Sequence, residues 1–207
     1  ERWWAEGFQR ALILLGGIDT AGKGGTRGHV MGAFPPQGVT VTGFGVPTSA
    51  ELARDYLWRV HPHVPANGRI AIFDRSHYED VLVVRVKELV PKARWSRRFE
   101  HINAFERMLA EEGTTIVKCF LHISRDEQRA RLQARLDDPT KRWKFRMGDL
   151  DERARWDDYQ AAFEDMLRRT STSWAPWYVI PADRKWFRNV AVSELLADVL
   201  GELDPQY

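Results

Sequence analysis

Cysteine is almost absent from this 207-residue chain: Cys119 stands alone, so no intramolecular disulfide can form and the fold must rest on packing. It lies in an apolar run with no second thiol beside it, which marks a buried structural side chain rather than a reactive one. Long hydrophobic runs are missing too. Nothing approaches the ~20 apolar residues that span a bilayer, and no secretory leader pattern is visible, so no membrane partner is expected and cytoplasmic placement is. Net charge is small, formally +2, which excludes a molecule that attracts polyanions over its whole surface and turns attention to local clusters. Internal repeats, low-complexity tracts and linkers are absent as well. What is present, 43% hydrophobic and 29% charged residues over a length suited to one core, predicts a single folded domain covering 1–207.

The apolar segments alternate between two periods. Ala11-Leu12-Ile13-Leu14-Leu15 is short, unbroken and ends at Gly16-Gly17, as a central parallel strand does. Further strands are predicted at 38–43, 69–73, 114–123 and 177–180. Between them, helices are predicted after the first glycine-rich turn, from Ala50 to about Val60 with Ser49 as its cap, over 96–112, after Ser124 with Glu127 in the capping-box position, from about 149 to 169, and from 189 to 200. Strands alternating with helices imply right-handed βαβ units and a mostly parallel sheet.

The first strand runs into Gly17-Ile18-Asp19-Thr20-Ala21-Gly22-Lys23, seven positions of the Walker A pattern, with a helix behind it. Gly22, Gly24 and Gly25 suit a loop whose backbone N–H groups turn inward around phosphate oxygens, and Lys23 supplies a mobile cation for the group in transit. Gly24 occupies the place where Ser or Thr usually ligates Mg²⁺, and Thr26 lies two residues beyond it. Other oxygens must then hold the metal, and Asp19 inside the loop is the first candidate. A glycine-rich turn with an incidental lysine is the bland alternative.

A second acid, Asp74, ends the apolar run Ile70-Ala71-Ile72-Phe73, where parallel sheets gather their ligands. Together with Asp19 it would make a Mg²⁺ site of hard oxygens. Arg75 follows and could clamp a phosphate. The alternative is an acid that merely caps the next helix. Between Arg125 and Arg146, eight basic residues, Arg131, Arg135, Lys141 and Lys144 among them, stand against four acids. Arg131 and Arg135 share a helix face. The segment at about 125–148 reads either as a mobile lid over phosphates or as a solvated face.

Taken together, the motifs resemble the second family of polyphosphate kinases. The resemblance runs from Gly17 to Asn189 and includes Pro47-Thr48-Ser49, Asp55-Tyr56-Leu57-Trp58-Arg59, Asp74-Arg75-Ser76-His77-Tyr78-Glu79-Asp80, Asp138-Pro139, Trp156-Asp157-Asp158-Tyr159 and Ala175-Pro176-Trp177. It implies an α/β, P-loop kinase-like three-layer α/β/α sandwich with a helical lid. It also implies phosphoryl transfer between inorganic polyphosphate and nucleoside mono- or diphosphates, AMP and ADP with GMP and GDP as further acceptors, and Mg²⁺ as cofactor. On the matching positions, Asp19 and Asp74 would hold the metal, Lys23 and Arg75 would bind and activate the transferred phosphate, and Arg131 and Arg135 would grip the donor chain. The glycines, Thr26, Lys141 and Lys144 are expected to bind phosphate as well. Ser76 to Asp80 resembles the subgroup accepting both AMP and ADP, whereas Gly24-Gly25 resembles the ADP-preferring one. Many relatives carry an N-terminal segment that would be missing or shortened here.

A homo-oligomer is expected, and nucleic acid is not expected as a partner. The rival readings are an ATP-dependent nucleoside monophosphate-type kinase and a non-catalytic polyanion-binding protein. Gly24 and Asp19 argue against the first, the paired carboxylates against the second.

Overall fold

The computed structural model describes residues 2–206. A short helix α1 (Arg2–Glu6) precedes strand β1 (Arg10–Gly16), followed by α2 (Lys23–His29), β2 (Val39–Thr42), α3 (Ser49–Leu52), β3 (Ile70–Asp74) and α4 (Glu79–Val86). Then come α5 (Lys92–Trp95), α6 (Arg98–Glu111), β4 (Thr114–His122), α7 (Arg125–Asp137), α8 (Met147–Ala154), α9 (Trp156–Thr170), β5 (Trp177–Pro181) and α10 (Lys185–Glu202). All five strands join one sheet in the order β2-β3-β1-β4-β5, and every pairing is parallel. Strand β1 is central and its five residues from Ala11 to Leu15 are buried, because helices cover both faces. Helices α4, α6 and α9 pack on one another, and α2 packs on α10, giving the expected three-layer α/β/α arrangement. No helix among the described residues is long and apolar enough to cross a membrane.

The register sets the site. Leu15 pairs with Asp74, so the phosphate loop leaves β1 beside the acid that ends β3. The strand order reverses direction around β1, and such a switch point opens a crevice at the carboxyl ends of the strands. Gly17 holds φ at 139°, and a Cβ there would meet the Leu121 carbonyl, so the loop's first turn needs a glycine.

Helical segments depart from expectation where side chains intervene. The helix expected from Ala50 to Val60 stops at Leu52, because Asp55 Oδ1 accepts from the backbone N–H groups of Leu57 and Trp58 and makes a turn instead. Its cap is Thr48, not Ser49: Thr48 and Glu51 form the reciprocal capping box. Ser124 does cap α7, accepting from Glu127 N–H. The Glu127 carboxylate turns to Arg131, however, and Asp183 takes the Ser124 N–H. The long helix expected over 149–169 breaks at Arg155, whose guanidinium donates to the Val86 carbonyl. The sequence motifs set no bounds for helix α4, whose first two residues, Glu79 and Asp80, read as the end of the Asp74 motif.

Candidate active site

Two residues with side chains adopt left-handed backbone conformations beside the crevice, Thr20 (φ 67°) in the phosphate loop and Arg75 (φ 68°) after β3. Such conformations cost about 1–3 kcal/mol each and persist where the surroundings over-determine them. The hydroxyl of Thr20 is enclosed without a protein partner.

Between these turns, Asp19, Lys23, Arg75, Glu79, Glu152 and Tyr159 line a cleft of about 40 Å³, room for a few waters and not for a phosphate chain meeting a nucleotide. Lys23 folds back across its own loop, its Nζ donating to the carbonyls of Gly17 (2.6 Å) and Ile18 (3.3 Å). Burial pulls its ammonium pKa below the ordinary lysine range, while the carboxylates of Glu79, Asp19 and Asp74 act against that pull. Glu79 shows the converse: burial raises its pKa, and Lys23 and Arg75 oppose the rise. Glu79 was not among the expected site residues. Only its place five residues after Asp74, on the first turn of α4, ties it to the cleft.

Each candidate metal ligand faces an arginine. Asp19 Oδ2 accepts from Arg135 Nη1 at 3.0 Å, and Asp74 Oδ2 lies 3.5 Å from Arg27 Nη1, a residue the sequence did not single out. The described residues hold no group of three or more side chains suited to a metal. Two carboxylates are nevertheless the donor set Mg²⁺ ordinarily takes from a protein, since it fills the rest of its shell with waters and substrate phosphate oxygens. The residues fit the ion.

The basic segment divides into distinct roles. Arg135 reaches Asp19 and also donates to Asp149 Oδ2 at 3.1 Å and to the Lys144 carbonyl at 3.3 Å, pinning α7 and α8 over the phosphate loop. Arg131, expected on the polymer, commits its guanidinium to the protein in this structure. Its Nε donates to Glu127, its Nη1 to the carbonyls of Thr20 and Ala21, and its Nη2 to those of Ala182 and Asp183. All five guanidinium donors are thus engaged, and the residue is a strut between loops. Thr26 is also otherwise occupied, being buried with its hydroxyl on the Gly22 carbonyl at 3.2 Å. Lys141 pairs with Asp138 at 2.5 Å, a contact that with Thr140 holds the Asp138 carboxyl down to about 2. Lys144 sits over the Trp143 ring. Gly24 and Gly25 lie exposed, and a Cβ on Gly24 would meet nothing.

Beneath Asp74 and Arg75 the chain is fixed by a buried polar network. Lys118 Nζ donates to Glu106 Oε2 (2.6 Å), the Tyr78 hydroxyl (3.0 Å) and the Thr170 carbonyl (2.7 Å). His77 and Tyr78 both reach Glu106 Oε1. Two residues on, Asp80 sits between Arg59 and Arg98. Much of the Ser76-His77-Tyr78-Glu79-Asp80 motif therefore holds the loop in place.

The family model for polyphosphate kinase 2 matches residues 1–206. The chain is 60% identical over 207 residues to the AMP/ADP-polyphosphate phosphotransferase of Meiothermus ruber, covering 100% of this chain and 78% of that protein. It is 42% identical over 216 residues to the ADP-polyphosphate phosphotransferase of Rhodopseudomonas palustris, covering 99% and 75%. The crystal structure of polyphosphate kinase 2 from Arthrobacter aurescens TC1 superposes with a TM-score of 0.97 at 51% identity, covering 100% and 74%. With the loop, the second acid and the cleft in the places the motifs required, the chain belongs to the polyphosphate kinase 2 family.

Proposed function

We propose that this chain moves the terminal phosphoryl group of inorganic polyphosphate to a nucleoside mono- or diphosphate, AMP or ADP. The observation that carries this reading is the single cleft in which Asp19, Lys23, Arg75 and Glu79 meet beside a Walker A loop without its hydroxyl. The names of the relatives at 60% and 42% identity support the choice of substrates.

The reaction breaks the terminal P–O bond of the polymer and forms one to an oxygen of the nucleotide's last phosphate. The shortened polymer departs as its own oxyanion. The attacking oxygen is already ionised, so the protein's work is positioning and charge neutralisation. Lys23 and Arg75, which both line the cleft, would hold the phosphoryl group, and Arg135 would exchange Asp19 for the donor chain. Mg²⁺, held by Asp19 and Asp74, would screen the repulsion between the two polyanions. The lid segment must open to admit substrates and close to exclude water. Exposed Trp186, Phe187 and Val190 on α10 support a homo-oligomer as the working form.

The test is incubation of AMP, ADP, GMP and GDP with polyphosphate and Mg²⁺, with chromatographic separation of products. ADP and ATP are expected from AMP and ADP. Absence of any new nucleotide would overturn the reading.

A further inference from the structure

Arg188, four positions into α10, belongs to no motif read from the sequence, yet its guanidinium lies directly on the phosphate loop. A Cβ built on Gly22 would collide with its Nη1, and one on Gly25 would come within 3.0 Å of its Nη2. The side chain is 4% exposed. Its Nε and Nη2 both donate to Asn189 Oδ1, at 3.2 and 2.7 Å, and its Nη1 has no acceptor among the described residues. No carboxylate among those residues pairs with it.

The contrast with Arg131 is instructive, because the two guanidinium groups are neighbours over the same loop. Arg131 has five donors and five acceptors; Arg188 has an acceptor for two of its atoms and none for the third. Burying a cation is expensive unless an anion or a full set of acceptors compensates it. Burial, and then the charge of Arg131, depress the pKa of Arg188, as expected of a cation held without its counter-ion. The unused Nη1 is not among the enclosed polar atoms that lack partners, so it stays open to an incoming group.

We propose that, on the polyphosphate-donor reading of this site, Arg188 binds the donor chain, its Nη1 taking an oxygen of a phosphate that has left the loop across Gly24 and Gly25. The path is open, since neither Gly24 nor Gly28 has an atom within 4 Å of where a Cβ would stand. Lys185, one turn earlier on α10, and Arg184, the residue just before that helix, are both exposed and continue the positive strip along which a chain of phosphates would run.

The test compares the unaltered 207-residue chain with Arg188→Gln and Arg188→Lys in three measurements: KM for polyphosphate, KM for ADP, and melting temperature with and without polyphosphate. Arg188→Gln is expected to raise the polyphosphate KM about tenfold or more, the scale of one lost hydrogen bond to a charged group. The KM for ADP should stay within about twofold, since the contact lies on the donor side. Its melting temperature without ligand should be unchanged or higher, because an uncompensated buried charge has been removed, and the rise produced by polyphosphate should shrink. Arg188→Lys should recover part of the affinity. An unchanged polyphosphate KM in Arg188→Gln would overturn the proposal. So would a fall in ligand-free melting temperature with both KM values rising together, the pattern of a structural strut. If the wild type itself were neither active with polyphosphate nor stabilised by it, the donor reading would fail and this role with it.

Discussion

Arg135 and Asp19 meet at 3.0 Å although 116 positions separate them in the chain. Through this contact the basic segment closes on the phosphate loop, and its arginine occupies a carboxylate oxygen of the residue proposed as a metal ligand. The pair is about one-fifth exposed on each side, so it is a modest latch rather than a lock. On the proposed mechanism Asp19 would exchange this arginine for Mg²⁺, and Arg135 would exchange the carboxylate for the donor chain.

If Asp19 and Asp74 hold the metal, Asp19→Asn and Asp74→Asn should each lower turnover by on the order of a hundredfold or more, the usual cost of removing a transition-state electrostatic contribution. Melting temperatures should stay close to wild type, since the partners Arg135 and Arg27 reach other groups or solvent. Full activity in either variant would remove that residue from the site.

Arg131 and Arg135 should behave differently despite sharing a helix face. Arg131→Ala strips five hydrogen bonds from carbonyls and a carboxylate, and should cost about 2 kcal/mol or more of stability. Arg135→Ala should leave stability nearly unchanged and weaken polyphosphate more than nucleotide, with the difference shrinking as salt rises. Chemical denaturation and steady-state kinetics at two ionic strengths check both. Equal stability losses in the two variants would contradict the division.

Lys23 sets an alkaline limit. If its cation is needed for transfer, that cation is lost as pH rises through a pKa that burial has lowered from the ordinary 10.5. The rate constant kcat/KM, which reports the free enzyme, should therefore fall at a lower pH than an ordinary lysine would impose. Lys23→Ala should be nearly inactive at every pH. A kcat/KM that stayed flat up to the ordinary lysine range would show that Lys23 is not the limiting group.

The network under Asp74 should govern acid stability. Burial opposes ionisation of Glu106, but His77 and Lys118 outweigh it and hold its pKa below the ordinary value. The stabilisation this gives is complete above the unfolded-state pKa of glutamate, and is lost as pH falls through the lower folded value. Glu106→Gln leaves Lys118 buried and unpaired, and should cost about 3–5 kcal/mol near neutrality while flattening the loss in acid. Adding Lys118→Met should recover part of that cost. Urea melts from pH 3 to 7 would show it, and equal pH slopes in wild type and Glu106→Gln would contradict it.

The parts legible in the sequence were those whose physics is local. The β1–loop–α2 unit, Asp74 at the end of β3 and the parallel sheet follow from runs, spacings and glycines within a few residues of one another. The division between Arg131 and Arg135 was not legible, because it depends on which carbonyls lie nearby, and those belong to residues 20, 21, 182 and 183. Arg27, Glu79 and Arg188 were missed for the same reason: each gains its meaning from a partner brought in by the fold. The short α3 was overextended because the Asp55 turn competes with helical spacing that is otherwise sound.

The most direct measurement is transfer of label. Polyphosphate carrying ³²P throughout is mixed with unlabelled ADP, Mg²⁺ and the protein, beside an equivalent reaction in which GTP labelled on its γ-phosphate is the donor. The expected result is labelled ATP from polyphosphate, with the GTP reaction slower by at least about a hundredfold, and loss of both signals in Asp19→Asn. Labelled ATP arising as fast from the nucleoside triphosphate, or persisting in Asp19→Asn, would contradict a polyphosphate-driven site built on that carboxylate.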